Sequence, residues 1–270
     1  FEGTAHPFMF CEAWGEMAML PPAERRAKLA QPDVRQKLFD TQIDVSTLGL
    51  PGPALLVANG WHAMYPLGDP PDYEPTADKS VFAIAEREGR NVEEVLYDLM
   101  LADEGRELLL FPYMNYSDGT LDPMREMIDS DVTVLSLGDG GAHCGIICDA
   151  SLQTFMLTHW ARDRSRGAKV PVEQAVQRMT RHTAELYGLR DRGLLRPGYK
   201  ADLNVIDFDG LTLRRPEMAY DLPGGARRLL QRASGYEWTL VSGEPIFENG
   251  EPTEARPGRL LRGESSAPSA

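Results

Sequence analysis

The sequence predicts an α/β fold with parallel strands buried between helices, and three observations predict it. Helix-like and strand-like segments alternate as far as about residue 189. The strand-like runs ALLVANGW (54–61), LLLFP (108–112) and VTVLSL (132–137) are apolar almost throughout, as strands covered on both faces are. After Gly188 the texture changes to Gly/Pro turns, short strands and a hairpin signal, which sets a strand-rich part behind the α/β part.

Each element has a local cause. AERRAKLAQPDVRQKLFD (23–40) places Leu29, Val34 and Leu38 on one side and reads as a helix interrupted near Pro32, whose ring does not fit a helix interior. Residues 65–75 hold four prolines among Gly and Asp, which marks a loop. VFAIAEREG and NVEEVLYDLMLADEG read as two helices. The second is capped by Asn91 and gathers Val92, Val95, Leu96 and Leu99 on one face. NYSDGTLD is a loop and LDPMREMIDS a short helix. SLQTFMLTHWARD and VEQAVQRMTRHTAELYGL follow as helices, the latter with an apolar stripe at Val172, Ala175, Val176, Met179 and Leu186. In RGLLRPGYKADLNVIDFD a Gly/Pro turn leads into a strand, and YEWTLVSGEPIFENG reads as a hairpin turning at Ser242-Gly243. The final GESSAPSA is small and polar and reads as disordered.

Composition narrows the functional classes. Twenty-eight basic against 41 acidic residues give a net charge of −13, a surface that repels phosphate backbones and anionic head groups. Nucleic acid and membrane surfaces are therefore not expected partners, and no apolar run approaches the roughly 20 residues needed to cross a bilayer. Three cysteines, Cys11, Cys144 and Cys148, are too few and odd in number for a disulfide framework, which favours a reducing, cytoplasmic setting. The opening FEGTAHPFMF has neither an initiator Met nor a signal-peptide pattern, and the chain reads as the back part of something longer.

The chemistry concentrates at VLSLGDGGAHCGIICDAS (134–151). Gly138-Asp139-Gly140-Gly141 stands at the C-terminal end of a buried strand, where ligands bind in barrels and open α/β sheets. Three glycines turn the backbone sharply and leave the space above the carboxylate free of side chains. Asp139 could accept a proton there or hold a metal, and His143 could reach into the same cavity. Asp beside Gly also caps helices and closes Asx turns, and the spacing alone leaves both readings open. His143, Cys144 and Cys148 suggest zinc, but Cys144 and Cys148 enclose the apolar Gly-Ile-Ile and no second ligand pair follows, so the cysteines read as small buried hydrophobes. His6 and His62 read as packed and satisfied, and His159 and His182 as helix residues with structural roles. No Gly-x-Ser-x-Gly elbow and no phosphate-cradling glycine loop before Lys-Ser or Lys-Thr is present, which removes the usual carriers of nucleophilic and nucleotide chemistry.

TRHTAELYGLRDRGLLRPGYKADLNVIDFD resembles the C-terminal module of the amidohydrolase superfamily, where a Leu-Gly helix end, a Gly-x-Leu-x-Pro-Gly turn and an Ala-Asp-Leu-x-Val strand follow one another. DLPGGARRLLQRASGYEWTLVSGEPIFENGEPTEARPGRLLR, with LLLFPYMNYSDGTLDPMREMI and LSLGDGGAHCGIICDAS, is similar to the N-acyl-D-amino-acid deacylase (D-aminoacylase) branch. The resemblance spans about Asn91 to Gly263. It implies the C-terminal part of a TIM-like (β/α)8 barrel over residues 1–190, the C-terminal part of a small β-sandwich over 191–262, and a tail over 263–270. It also implies a zinc-dependent hydrolase in which a metal-bound water attacks an amide carbonyl. By position Asp139 would be the strand-eight acid that moves the proton, touching the metal as well, and His143 a group that binds the substrate.

The sequence departs from the family pattern in ways that shape the expectation. It contains no His-x-His, Gly138 stands where Ser is common, and Cys11 lies too far toward the C-terminus to be the family's Cys ligand. The remaining zinc ligands are thus expected upstream of Phe1, and an N-terminal half or second chain is expected to complete the barrel, since unpaired strand edges are costly. The expected substrate is a small N-acyl amino acid. Two alternatives remain: a cyclic amidohydrolase of the dihydropyrimidinase or imidazolonepropionase kind, against which DLPGGARRLLQ weighs, and a catalytically silent fragment or subunit that folds on a partner.

Overall fold

The computed structural model describes residues 1, 5–41, 60–112, 114–135, 144–146, 148 and 151–262. They fall into two compact units. One comprises Phe1–Thr120, His143–Ile147 and Glu217–Leu230, the other Leu121–Ala142, Cys148–Pro216 and Gln231–Ala270.

The first unit is mainly helical. A 3₁₀ turn at Pro7–Phe10 leads into helices at Trp14–Ala18, Pro22–Leu29 and Pro32–Asp40. The predicted break near Pro32 is present, and Pro22 and Pro32 each stand at a helix start, where no amide hydrogen is needed. The Val81–Glu88 helix is capped by Ser80, whose Oγ accepts from the Ala83 amide at 3.1 Å, and Gly89 closes it in the left-handed region at φ 62°. Asn91 caps the Val92–Gly105 helix as expected, its Oδ1 accepting from the Glu93 amide at 2.8 Å. That helix is regular only as far as Leu101. Asp103 and Glu104 take φ of 49° and 56° and turn the chain out.

These helices bury one aromatic core. Phe8, Leu29, Leu38, Leu96 and Tyr97 have no exposure, and full burial of such side chains stabilises by about 1.5–3 kcal/mol each. The Tyr97 ring meets Phe1, Phe8 and Phe39 edge-on with centroids 5.1, 5.4 and 5.5 Å away, and its hydroxyl donates to the Leu29 carbonyl at 2.7 Å. The strand expected at 108–112 is a two-residue bridge, Leu109–Leu110, antiparallel to Tyr65–Pro66. Glu217–Leu222 and Ala226–Leu230 form a hairpin whose connection passes through Gly224 and Gly225, at φ 74° and 72°.

The second unit combines helices with a sheet. The short helix expected at 121–130 occupies Asp122–Asp129. Helix Leu152–Phe155 widens into π-helical turns at Met156–Asp163, and Val172–Gln177 does the same at Arg178–His182 before Thr183–Leu186. Ile128, Met156, Trp160, Val170 and Ala175 make the core between them. The stripe expected at 172–186 is only partly inward: Ala175 is buried, whereas Val176 and Leu186 are 44% and 63% exposed. A π turn adds a residue to the helical repeat and rotates everything after it, which accounts for Leu186 beyond the wide turn; Val176 lies before it, at the edge of the buried face.

The strand-rich part is a four-stranded antiparallel sheet. Leu203–Ile206 pairs with Tyr236–Val241, which pairs with Glu244–Glu248, which pairs with Glu251–Pro252. The hairpin turns at the predicted Ser242-Gly243, with φ of 52° and 85°, the positive pair that matches strand twist.

Helix and sheet therefore both contribute, and every strand pair among the described residues is antiparallel. Of the expected VTVLSL strand, Val132 sits in a turn, 93% exposed, and Thr133 to Leu135 are not in a strand. Residues 136–137 lie outside the described residues, as do 54–59 of the ALLVANGW strand and the 263–270 tail. No helix among the described residues is long and apolar enough to cross a membrane.

Candidate functional site

The two residues singled out for chemistry, Asp139 and His143, lie outside the described residues. The structure does describe segments that flank them in the sequence. On the N-terminal side Arg178 is buried and donates to the carbonyls of Asp129, Ser130 and Thr133 at 3.2, 3.1 and 3.3 Å. The two terminal guanidinium nitrogens thus gather three carbonyls at and just past the end of the Asp122–Asp129 helix. Leu135 packs against the core around Trp160.

On the C-terminal side the helix after the loop is tied to the strand-rich part by side-chain hydrogen bonds within the second unit. The Ser151 hydroxyl lies 2.6 Å from Gln231 Oε1 and 3.1 Å from the Cys148 carbonyl, and the Gln231 amide nitrogen donates to the Arg214 carbonyl at 2.8 Å. Thr154 Oγ1 and the Tyr236 hydroxyl are 2.8 Å apart. One π turn later Arg162 donates to the carbonyls of Phe208, Asp209 and Leu211, and pairs with Asp163 at 2.7 Å. Bonding to that guanidinium holds the Asp163 carboxyl below the usual carboxylate range. The segment from Ser151 to Arg162 is thus fixed at three points. Sequence reading missed these anchors, because each joins residues with no local signature in common.

The cysteines fit the hydrophobe reading only partly. Cys11 is buried, whereas Cys144 and Cys148 are half-buried, and all three are free thiols. In the first unit the Leu229 amide donates to the Cys144 carbonyl at 2.6 Å, fixing the far side of the Gly-rich stretch by backbone rather than by sulfur.

Among the histidines, His159 stacks on Phe155 with centroids 4.6 Å apart and planes 6° from parallel, in keeping with a structural role. His182 lies in a π turn. His6 is packed, as expected, but not satisfied: its Nδ1 has no hydrogen-bond partner among the described residues. The side chain of His62 lies outside them.

Among the described residues no group of three or more His, Cys, Asp and Glu is placed to hold a metal ion. A groove of about 390 Å³ between Thr180, Thr183, Tyr187, Leu189, Arg192 and Asp202 has its arginine, aspartate and threonine side chains engaged internally. Arg192 pairs with Asp191 and Asp202 at 3.2 and 3.0 Å, and the two threonines bond to the helix backbone.

Similarity to known proteins supplies what the described geometry does not. The chain is 34% identical over 110 residues to a D-aminoacylase of Alcaligenes xylosoxydans xylosoxydans, covering 39% of this chain and 19% of that protein. It is 38% identical over 95 residues to an N-acyl-D-glutamate deacylase of the same organism, covering 35% of this chain and 17% of the relative. It is 32% identical over 90 residues to an N-acyl-D-aspartate deacylase, covering 33% and 16%. The matched stretches thus span less than a fifth of the relatives' own lengths. No solved structure matches. The resemblance to the D-aminoacylase branch is borne out by these relatives. Residues 99–247, more than half of the sequence, match the amidohydrolase family, and the chain belongs to that family.

Proposed function

We propose that the protein carrying this chain hydrolyses the amide bond of N-acyl-D-amino acids and related N-acyl amides. The observation that carries the reading is the 34% identity to a D-aminoacylase over 110 residues within a chain of the amidohydrolase family. In this reading residues 1–190 belong to a TIM-like barrel and 191–262 to a small β-sandwich, and residues outside this chain supply the rest of the barrel. Three free cysteines suit a reducing, cytoplasmic setting.

Asp139 is the proton carrier. Its carboxylate takes a proton from the attacking water as the new C–O bond forms, then gives it to the amine nitrogen as the C–N bond breaks, releasing a carboxylic acid and a D-amino acid. His143 donates a hydrogen bond to the substrate carboxylate, holding the amide over Asp139. Zinc is the metal the family resemblance implies. No ligand set for it stands among the described residues, and Asp139 is the one group of this chain assigned to it.

The test is hydrolysis of N-acetyl-D-amino acids by the intact protein, with metal content measured on the same sample. Release of the D-amino acid, with the L-enantiomer and dihydropyrimidines left intact, supports the assignment. Ring opening of a cyclic amide without deacylation would replace it with the cyclic amidohydrolase reading. A metal-free, inert protein would make it a silent subunit.

A further inference from the structure

A histidine that is buried, aromatic-walled and unpartnered can persist only in its neutral form. His6 is 4% exposed. Its ring meets Trp14 edge-on with centroids 4.3 Å apart and planes at 85°, meets Phe1 at 5.3 Å and 83°, and lies 6.4 Å from Phe8. Its Nδ1 reaches no hydrogen-bond partner among the described residues. Its own carbonyl accepts from the Met9 amide at 3.1 Å and so starts the turn that drives Phe8, with no exposure, into the core.

We propose that His6 is an acid-release latch for the N-terminal segment: neutral, it seats the Pro7–Phe10 turn in the aromatic core of the first unit, and protonation ejects it. The charged side chains acting on the ring are Arg25 of the Pro22–Leu29 helix and Arg227 of the Ala226–Leu230 strand. Both are positive, and among the described residues no carboxylate acts on the ring to stabilise an imidazolium. Burial first, then these charges, lower the pKa of His6 from 6.5 to about 3.

The sign follows from linkage. With the folded value below the unfolded one, the unfolded chain binds the proton more tightly. Stability is complete above pH 6.5 and declines as pH falls toward 3. Between pH 7 and 5 the His6 contribution alone raises the unfolding constant roughly 25-fold. The same release uncovers Cys11, which is buried one residue past the turn.

Two measurements on the full chain decide it. Denaturant unfolding at pH 7 and pH 5 is expected to show His6→Phe losing most of that roughly 25-fold rise relative to the parent. Modification of Cys11 by dithiodipyridine, located by peptide mapping, slows with falling thiolate in both proteins, and the parent-to-variant rate ratio is expected to rise roughly 25-fold between pH 7 and 5. Equal acid sensitivity of parent and variant would overturn the proposal. Should His6→Phe not fold, NMR of the parent on acidification decides alone: protonation of the His6 ring together with loss of the seated Pro7–Phe10 resonances upholds the latch, and a midpoint near 6.5, or protonation with the turn still seated, refutes it.

Discussion

The Arg164 guanidinium lies 4.8 Å from the centre of the Trp160 ring, in a side chain with no solvent exposure. Its bonds include one to Asp122 Oδ1 at 2.7 Å, at the start of the Asp122–Asp129 helix, and one to the Ala168 carbonyl at 3.0 Å. A buried cation is tolerable only when its donors are met and an opposite charge is near. Here one side chain joins a helix start, the end of a π turn and the loop after it. Arg164→Met is expected to destabilise the second unit by about 2–4 kcal/mol. Asp122→Asn, at a position 57% exposed, is expected to cost only about 1 kcal/mol. Thermal unfolding of the two variants measures both, and equal losses would show that the aromatic face contributes nothing.

Tyr97 gives a second, sharper probe. Its hydroxyl donates to the Leu29 carbonyl at 2.7 Å inside the first core, and burial pushes its ionisation above the usual phenol range. Tyr97→Phe keeps the ring contacts and removes only the donor, leaving a buried carbonyl unmet. A loss of about 1–3 kcal/mol is expected in denaturant titration, with no change in the slope.

Gly235 tests backbone fit in the strand-rich part. It stands at φ 104°, and a Cβ there would come within 2.6 Å of the Leu211 Cα. The obstacle is main chain and cannot swing aside. Gly235→Ala is expected to cost about 1–3 kcal/mol, whereas Gly258→Ala, with open space around it, is expected to be neutral in the same assay.

Cys11 carries a pH prediction of its own. Burial, with Glu93 adding to it, raises its thiol to about 11. The reactive thiolate is therefore scarce in the folded chain until strongly alkaline pH. Iodoacetamide at pH 8 is expected to label the half-buried Cys144 and Cys148 well before Cys11, and unfolding in urea is expected to erase the difference.

The legible parts of this fold are those with local causes. Ser242-Gly243 announces its hairpin because two positive φ values are needed within two residues. Asn91 announces a helix because its side chain reaches an amide two residues on, and Pro32 a helix break because its ring clashes. The π turns at Met156–Asp163 and Arg178–His182 were not legible, since nothing local in MLTHWARD or RMTRH sets them apart from α-helix. Arg164, Arg178 and Arg162 read as ordinary surface charges until the chain is folded, because their partners are backbone carbonyls and residues up to 49 positions away. VTVLSL misled through its composition: Val132 is in a turn despite its apolar neighbours. Asp139 and His143 are named by the sequence and by the family resemblance, and the described structure bears on the segments that flank them in the sequence.

The central claim is that Asp139 moves the proton in amide hydrolysis. Asp139→Asn in the intact protein, assayed for D-amino acid release together with metal content and melting temperature, tests it most directly. The account predicts turnover lost by about 100-fold or more while the protein stays folded. Activity within a few-fold of the parent at unchanged stability would contradict it.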